Sequence, residues 1–390
     1  MTNPKLALIP SGYKATKVYS ILPSDGSGDF DFDRASEGTR VRKDGLIEEV
    51  SNDVPRLDWS DGNCPSLLLE PQSTNLITYS DDFGNSDWDK GTGTITTNTS
   101  ISPDGTLSAD KYSAVSTSSF AFLSQTKSAD ASQSYTYSIW IKKVSGSGVL
   151  KLAISDVNLA TLTSNNINLT NEFVRYSFSI ETGDLSNTGS IGAGFINITS
   201  GDVIEVWGAQ LEEGYATSYI PTQGSAVTRL FDDLESDTSY STGNDVTWFL
   251  DFDTYTFENS FRAAMVVRNS GFTQTMDWIS YNSGSDYYIR IRATNQSALQ
   301  TIIAFGEDAI QMFTRNKVAV RLYGSNFEIY VNGTREYTGT SDDGDWTVLN
   351  NSAILNDFGT TSERPSTKLY DFRVYDQTMT QSELEELTTL

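Results

Sequence analysis

The 390-residue sequence contains no histidine. That absence removes Ser-His-Asp and Cys-His catalysis and any zinc site built on imidazole. There is a single cysteine, Cys64, so no disulfide can form within the chain. In Asn63-Cys64-Pro65-Ser66 it reads as a small hydrophobe rather than a reactive thiol. No apolar run reaches the length of a membrane span, so no membrane insertion is expected. The opening residues Met1-Thr2-Asn3-Pro4-Lys5 lack an apolar signal core, which points to synthesis in a cytoplasm. Basic residues are scarce, 27 Lys and Arg against 51 Asp and Glu, for a formal net charge of −24. Such a surface repels phosphates, so no nucleic-acid partner is expected and anionic membranes are disfavoured. It suits solubility first, and also Ca²⁺ capture or neutral sugar ligands.

Helical periodicity is almost missing as well. In its place are abundant Gly, Ser, Thr, Asn and Asp, with aromatics at 12%. This is the composition of an all-β protein with many short strands and polar turns. The length exceeds one small core and favours two domains plus a smaller segment.

Residues 1–65 form an opening segment with turn signals at Gly26-Ser27-Gly28 and Asp61-Gly62-Asn63. Phe30-Asp31-Phe32-Asp33-Arg34 and Thr39-Arg40-Val41-Arg42-Lys43 are short extended pieces, and Asp44-Gly45 is a hairpin turn leading to Leu46-Ile47. Too few apolar residues are present for a core, so the segment is expected to lie against a partner chain or the next domain. Residues 66–226 read as one β-sandwich. Tyr137, Ile139 and Ile141 alternate with Ser138, Trp140 and Lys142, and the pattern recurs in Leu150, Leu152 and Ile154 and in Val174, Tyr176, Phe178 and Ile180. Period-two patterning marks half-buried antiparallel strands. Residues 227–390 read as a second sandwich. Val318, Val320 and Leu322 alternate with Lys317, Ala319, Arg321 and Tyr323; Asn332-Gly333 is a hairpin turn; Thr380-Gln381-Ser382-Glu383 is a capping box opening a helix from Ser382 to Leu387.

Two runs bracket the first sandwich: Leu67-Leu68-Leu69-Glu70-Pro71-Gln72-Ser73-Thr74-Asn75-Leu76-Ile77, and Val206-Trp207-Gly208-Ala209-Gln210-Leu211-Glu212 leading into Ala216-Thr217-Ser218-Tyr219-Ile220-Pro221-Thr222. Together they resemble the brackets of a jelly-roll module of bacteriophage virion appendages, of the head-fibre, head-decoration or tail-fibre type. The module is similar to carbohydrate-binding modules, and the strand, loop and helix that end the chain resemble laminin-G-like, concanavalin-A-like domains. The resemblance implies two consecutive antiparallel sandwiches behind an attachment segment, a non-enzymatic role, capsid or tail proteins as partners through residues 1–65, host-surface glycans met by the last domain, and a homo-oligomer, a trimer by preference. It implies a place on the virion surface, reached by particle assembly and lysis. It also implies a structural Ca²⁺ joining the first and last strands of the module, at Asp82 and Glu205.

The residues themselves leave alternatives open. Aromatic rings can stack on the apolar face of a pyranose. Trp88 and Trp140 in the first sandwich, and Trp278, Tyr281, Tyr287 and Tyr288 in the second, are candidates against a core-packing reading. For Trp140, between Ile139 and Ile141, packing is favoured; for Trp278 and Tyr281, beside a turn, the two balance. Arg290, Arg292, Arg321 and Tyr323 lie opposite the apolar faces of their strands and fit a ligand surface, a subunit interface or plain solvent. No EF-hand loop is present, and Asp342-Asp343-Gly344-Asp345 fits a solvated tip. A carboxylate pair could hydrolyse glycosides, but no particular pair stands out. A surface lectin and a polysaccharide depolymerase therefore stand beside the appendage reading. The glycan-contacting set is Trp278, Tyr281, Arg290, Arg321 and Tyr323.

Overall fold

The structure is a computed structural model. It describes residues 3–117, 123–130, 133–147, 149–156, 162–180, 191–236, 245–255, 262–268, 275–283, 286–295, 298–304, 314–324, 326–340, 351–354 and 366–390, with the backbone alone at 156, 162–165, 254–304 and 351–354. The fold is all-β, with a single helix among the described residues. It divides into two units. Residues 1–37, 50–72 and 230–390 make one, and residues 38–49 and 73–229 make the other.

The first unit holds two sheets. An eight-stranded antiparallel sheet runs in the order Thr334–Thr340, Asn326–Val331, Arg315–Tyr323, Asp245–Tyr255, Ser366–Tyr375, Ser66–Leu69 and Arg56–Asp58, and Leu6–Leu8 also pairs with Ser366–Tyr375. A nine-stranded sheet carries Tyr13–Lys14, Lys17–Val18, Phe30–Asp33, Asp233–Ser236, Asn351–Ile354, Arg262–Arg268, Thr275–Ser283, Asp286–Asn295 and Ala298–Ala304. The alternating residues Trp248, Leu250, Val318, Val320, Ile329 and Phe372 form the core together with Leu6, Leu8, Phe30, Phe32, Leu67 and Leu69. On the opposite face of the eight-stranded sheet, Phe249, Ala319, Tyr330 and Tyr375 are covered by Leu384 and Leu387 of the helix Gln381–Thr388. Thr380 and Glu383 close the expected capping box, and Asn332 and Gly333, at φ 48° and 89°, make the expected hairpin turn.

The second unit is a sandwich of a five-stranded sheet (Gly93–Ile101, Leu107–Ala114, Val203–Glu213, Tyr135–Ser145, Val174–Ile180) and a four-stranded one (Leu123–Lys127, Ile191–Ile196, Val149–Asp156, Leu162–Asn168). Tyr137, Ile139, Ile141, Leu150, Leu152 and Ile154 point into its core, as their alternation demands. The Asp44-Gly45 hairpin forms, with Gly38–Val41 pairing Ile47–Val50. Its Val41 and Ile47 pack with Ala109, Trp207 and Tyr219.

The boundaries differ from the sequence expectation of three consecutive pieces, 1–65, 66–226 and 227–390. The opening segment is divided between both units, and the residues expected to form a free-standing last sandwich share their sheets and core with residues 6–8, 30–33, 56–58 and 66–69. The apolar residues of the opening segment lie on strands of two to four residues. These are too short for a period to show, and Leu6–Leu8 and Phe30–Asp33 pair with Ser366–Tyr375 and Asp233–Ser236, far away in sequence.

Candidate functional site

The two bracket motifs meet, and they meet as structure. Asn75 is fully buried. Its amide donates to the carbonyls of Ala209 (3.2 Å) and Ile220 (2.8 Å), and its oxygen accepts from the N–H groups of Ile77 and Leu211 (3.1 Å each). Glu212 accepts from the Ser73 hydroxyl (2.6 Å), from Gln210 (2.5 Å) and from the Thr217 N–H (3.0 Å), while Gln210 accepts from the Ile220 N–H at 2.7 Å. Ser80 bonds the Tyr219 hydroxyl at 2.7 Å and exchanges bonds with Thr222. Every side-chain group of Asn75 is thereby used, which is how a buried amide avoids a desolvation penalty. These motif residues close the second unit and leave no polar atom of Asn75 for a ligand.

The aromatic candidates of that unit are also structural. Trp88 is buried against Phe83 at 4.7 Å between ring centroids, and its indole N–H donates to the Tyr79 carbonyl at 2.9 Å. Trp140 has Arg175 over its ring at 4.5 Å and packs edge-on against Trp207 and Tyr219. Packing rather than display is its role.

Asp82 and Glu205 are not brought together. Glu205 faces Lys111 and Lys142 across its neighbouring strands and binds the Lys142 ammonium at 2.8 Å, on the face opposite to Ile204 and Val206 of the core. Asp82 lies beside Asp110, which shares a register position with core-facing Val206. Asp82 itself lies in the loop between Ser73–Asn75 and Gly93–Ile101, while Glu205 is engaged by Lys142. Among the described residues no group of three or more His, Cys, Asp or Glu is placed to hold a metal ion.

The glycan candidates do not share a sheet either. Trp278, Tyr281 and Arg290 are on Thr275–Ser283 and Asp286–Asn295 of the nine-stranded sheet, with Ile279 opposite Arg290. Their side chains lie outside the described residues. Arg321 and Tyr323 are on Arg315–Tyr323 of the eight-stranded sheet, facing away from its core. There they form a cluster. The Arg321 guanidinium stacks over the Tyr323 ring at 4.3 Å. Both reach Glu328 on the neighbouring strand, each at 3.4 Å. The Tyr330 hydroxyl donates to Glu328 at 3.1 Å, and Arg335 approaches it at 3.7 Å. Burial first, and then the Glu328 charge, pushes the Tyr330 hydroxyl up to about 12, so it stays a donor at neutral pH. The same causes raise Tyr323. Sequence reading found Arg321 and Tyr323 from alternation, but missed Glu328, because a strand reading Phe-Glu-Ile-Tyr-Val does not show which cross-strand cations the glutamate will meet.

A second polar cluster lies on the same face of this sheet. Arg315 forks onto Asp251 (2.6 and 2.7 Å) and stacks over Tyr370 at 4.3 Å. The Tyr370 hydroxyl lies 3.0 Å from both Asp61 and Asp253, and Lys368 binds Asp61 at 2.6 Å. These charges satisfy one another internally.

No protein-family model matches the chain, and no curated protein does. Solved β-sandwich domains are similar to it. The CBM40 of Ruminococcus gnavus IT-sialidase, bound to alpha2,3 sialyllactose, is 17% identical with a TM-score of 0.31, over 40% of this chain and 96% of that one. Domain 4 of AbnA, a GH43 extracellular arabinanase from Geobacillus stearothermophilus, in complex with arabinotriose, is 12% identical with a TM-score of 0.35, over 45% of this chain and 83% of that one. The Caenorhabditis elegans galectin LEC-6 is 10% identical with a TM-score of 0.29, over 36% of this chain and 89% of that one. What this chain has in common with them is an antiparallel β-sandwich.

Proposed function

We propose that this protein is a non-enzymatic subunit of a phage virion appendage, of the head-fibre, head-decoration or tail-fibre type, that binds glycans on the host surface. The glycan half of the reading is carried by the Arg321–Tyr323–Glu328 cluster. It combines the Tyr323 hydroxyl, two guanidiniums and a carboxylate on the sheet face away from the core, with buried Tyr330 holding Glu328 from below, the donor and acceptor mixture that sugar hydroxyls require. The appendage half rests on the two bracket motifs, of which Leu67–Gln72 belongs to the first unit and the rest to the second. Attachment to capsid or tail is no longer assigned to a separable segment, because residues 1–65 are shared between the two units.

A glycan array with the intact chain, run beside a reducing-sugar release assay, tests the first half. Saturable binding without release of reducing ends, weakened by Tyr323→Ala, is expected. Release of reducing ends would replace this reading with a depolymerase, and a failure to bind any glycan would remove it. Immunogold electron microscopy of phage particles tests the second half, with label on head or tail as the expected outcome.

A further inference from the structure

Glu328 is 8% exposed and is approached by two guanidiniums, Arg321 at 3.4 Å and Arg335 at 3.7 Å. Charge-assisted bonds of this kind run at about 2.7–2.9 Å. Both contacts are longer, so one carboxylate is shared loosely between two cations. The cluster carries one positive charge beyond what Glu328 neutralises, on a chain whose formal net charge is −24. The Arg335 side chain is 38% exposed.

The floor of the cluster supplies a second, independent observation. Thr247 lies opposite Arg321, and Arg321 lies opposite Glu328, so the three form one cross-strand row. Thr247 Oγ1 and Arg321 Nε are both buried and have no hydrogen-bond partner. Buried polar atoms are nearly always paired, and each exception calls for an explanation such as strain or a bound water, ion or ligand group. One border of the row is set by Asp245, opposite Tyr323, whose carboxylate is engaged by the Thr378 hydroxyl. The other is set by Tyr330 beneath the terminal helix.

Building on the glycan reading, we propose that this site selects saccharides carrying a carboxylate. The sugar carboxylate sits across Arg335 and Arg321, and its ring hydroxyls are met by Glu328 and the Tyr323 hydroxyl. A planar guanidinium matches a carboxylate better than an ammonium or a hydroxyl does. In a molecule that otherwise repels anions, a fixed pair of guanidiniums also makes the interaction local rather than diffuse.

The test uses the intact protein and three immobilised classes of ligand: uronate polymers (polygalacturonate, alginate, hyaluronate), fully methyl-esterified polygalacturonate, and dextran sulfate. Uronate polymers are expected to bind at least about tenfold more tightly than the ester, the worth of one charge-assisted hydrogen bond. Arg335→Gln should remove that preference, and Arg335→Lys should restore only part of it. Glu328→Gln, which removes the competing carboxylate at constant shape, should tighten uronate binding. Melting curves of the same variants confirm folding, and Arg335 is exposed enough to be replaced without loss of core. Equal binding to acid and ester, with Arg335→Gln silent, overturns the carboxylate site but leaves the glycan reading standing. Dextran sulfate bound as tightly as uronate, and lost in the same variant, overturns carboxylate selectivity. No binding to any saccharide overturns both.

Discussion

Gly208 of the Trp-Gly-Ala-Gln motif has φ of +64°, and a methyl group built on it would come within 2.9 Å of the Trp140 ring. Glycine is required there twice over, for the left-handed backbone and for the space. Gly208→Ala should lower stability by roughly 1–3 kcal/mol, the usual cost of strain plus overpacking. Chemical denaturation of the intact chain measures it, and an unchanged midpoint would mean that the strand relaxes freely. Asp110 is a second residue with a measurable signature. Burial first, against the lowering effect of amide bonds from Asn98 and Phe83, and then the nearby charges of Asp82 and Asp81, lift its carboxyl to about 6. A folded-state value above the unfolded one near 3.8 means that folding favours the protonated form. Its stabilising contribution is therefore complete below about pH 4 and is lost as pH rises through about 6. The melting temperature should rise as the protein is taken from pH 7 to pH 5, and Asp110→Asn should flatten that rise. A mutant profile parallel to the parent would assign the dependence to other carboxyls. Gly208 is visible in the sequence only as a member of its motif, and Asp110 not at all: only the ring above one and the carboxyls beside the other give their roles.

Among the elements, the segments of the first unit that carry residues 34, 56, 70 and 232 are tied by a buried ionic knot. Arg34 donates to the carbonyls of Ser36, Ser51 and Val54 and to Asp232, and Arg56 pairs with Glu70 and Asp232. All four charged side chains are at most 3% exposed, and their charges balance. Removing one partner of such a set leaves an uncompensated buried charge, which costs about 3–5 kcal/mol. Asp232→Ala should therefore cost more than Asp232→Ala adds in a background already lacking Arg34 and Arg56, and a mutant cycle by denaturation reads the coupling. Additive losses would show the contacts to be independent. Legibility at this scale follows strand length. The strand Tyr135–Ser145 is eleven residues long, enough for the alternation over residues 137–142 to show in the sequence, and the Asn332-Gly333 turn and the cap at Thr380 are legible as well. Leu6–Leu8 and Phe30–Asp33, at three and four residues, show nothing on their own. The five glycan candidates failed to converge for a related reason. Alternation assigns a residue to a face of its strand, but not to a sheet, and Arg290 and Arg321 belong to different sheets.

For the whole chain, the interleaving of the two units makes opposite predictions for two truncations. The fragment 227–390 should not fold alone, because it lacks Leu6, Leu8, Phe30, Phe32, Leu67 and Leu69, all of which are buried in the core of the first unit. Each such side chain contributes about 1.5–3 kcal/mol on burial, and the sum exceeds the net stability of a domain. Excising the second unit from the intact chain is a different matter. The chain leaves the first unit after Gln72 and re-enters at Leu230, and these ends are already joined: the Asp232 N–H donates to the Glu70 carbonyl at 2.9 Å, and the Glu70 N–H to the Asp232 carboxylate at 2.8 Å. The earlier exit and re-entry are likewise close, with the Asp53 N–H donating to the Arg34 carbonyl at 3.0 Å. Short Gly-Ser linkers replacing 38–49 and 73–229 should therefore span both gaps with little loop-closure cost, since that cost grows only slowly with length. The resulting chain keeps every residue of the first unit's sheets, core and ionic knot. It should be soluble, give a β-type circular dichroism spectrum and melt cooperatively. It should also retain the Arg321–Tyr323–Glu328 cluster and its binding. If 227–390 folds as well as the excised chain does, the opening strands are dispensable and the interleaved core is wrong. If the excised chain aggregates while the intact one does not, the first unit depends on the second for more than its connections.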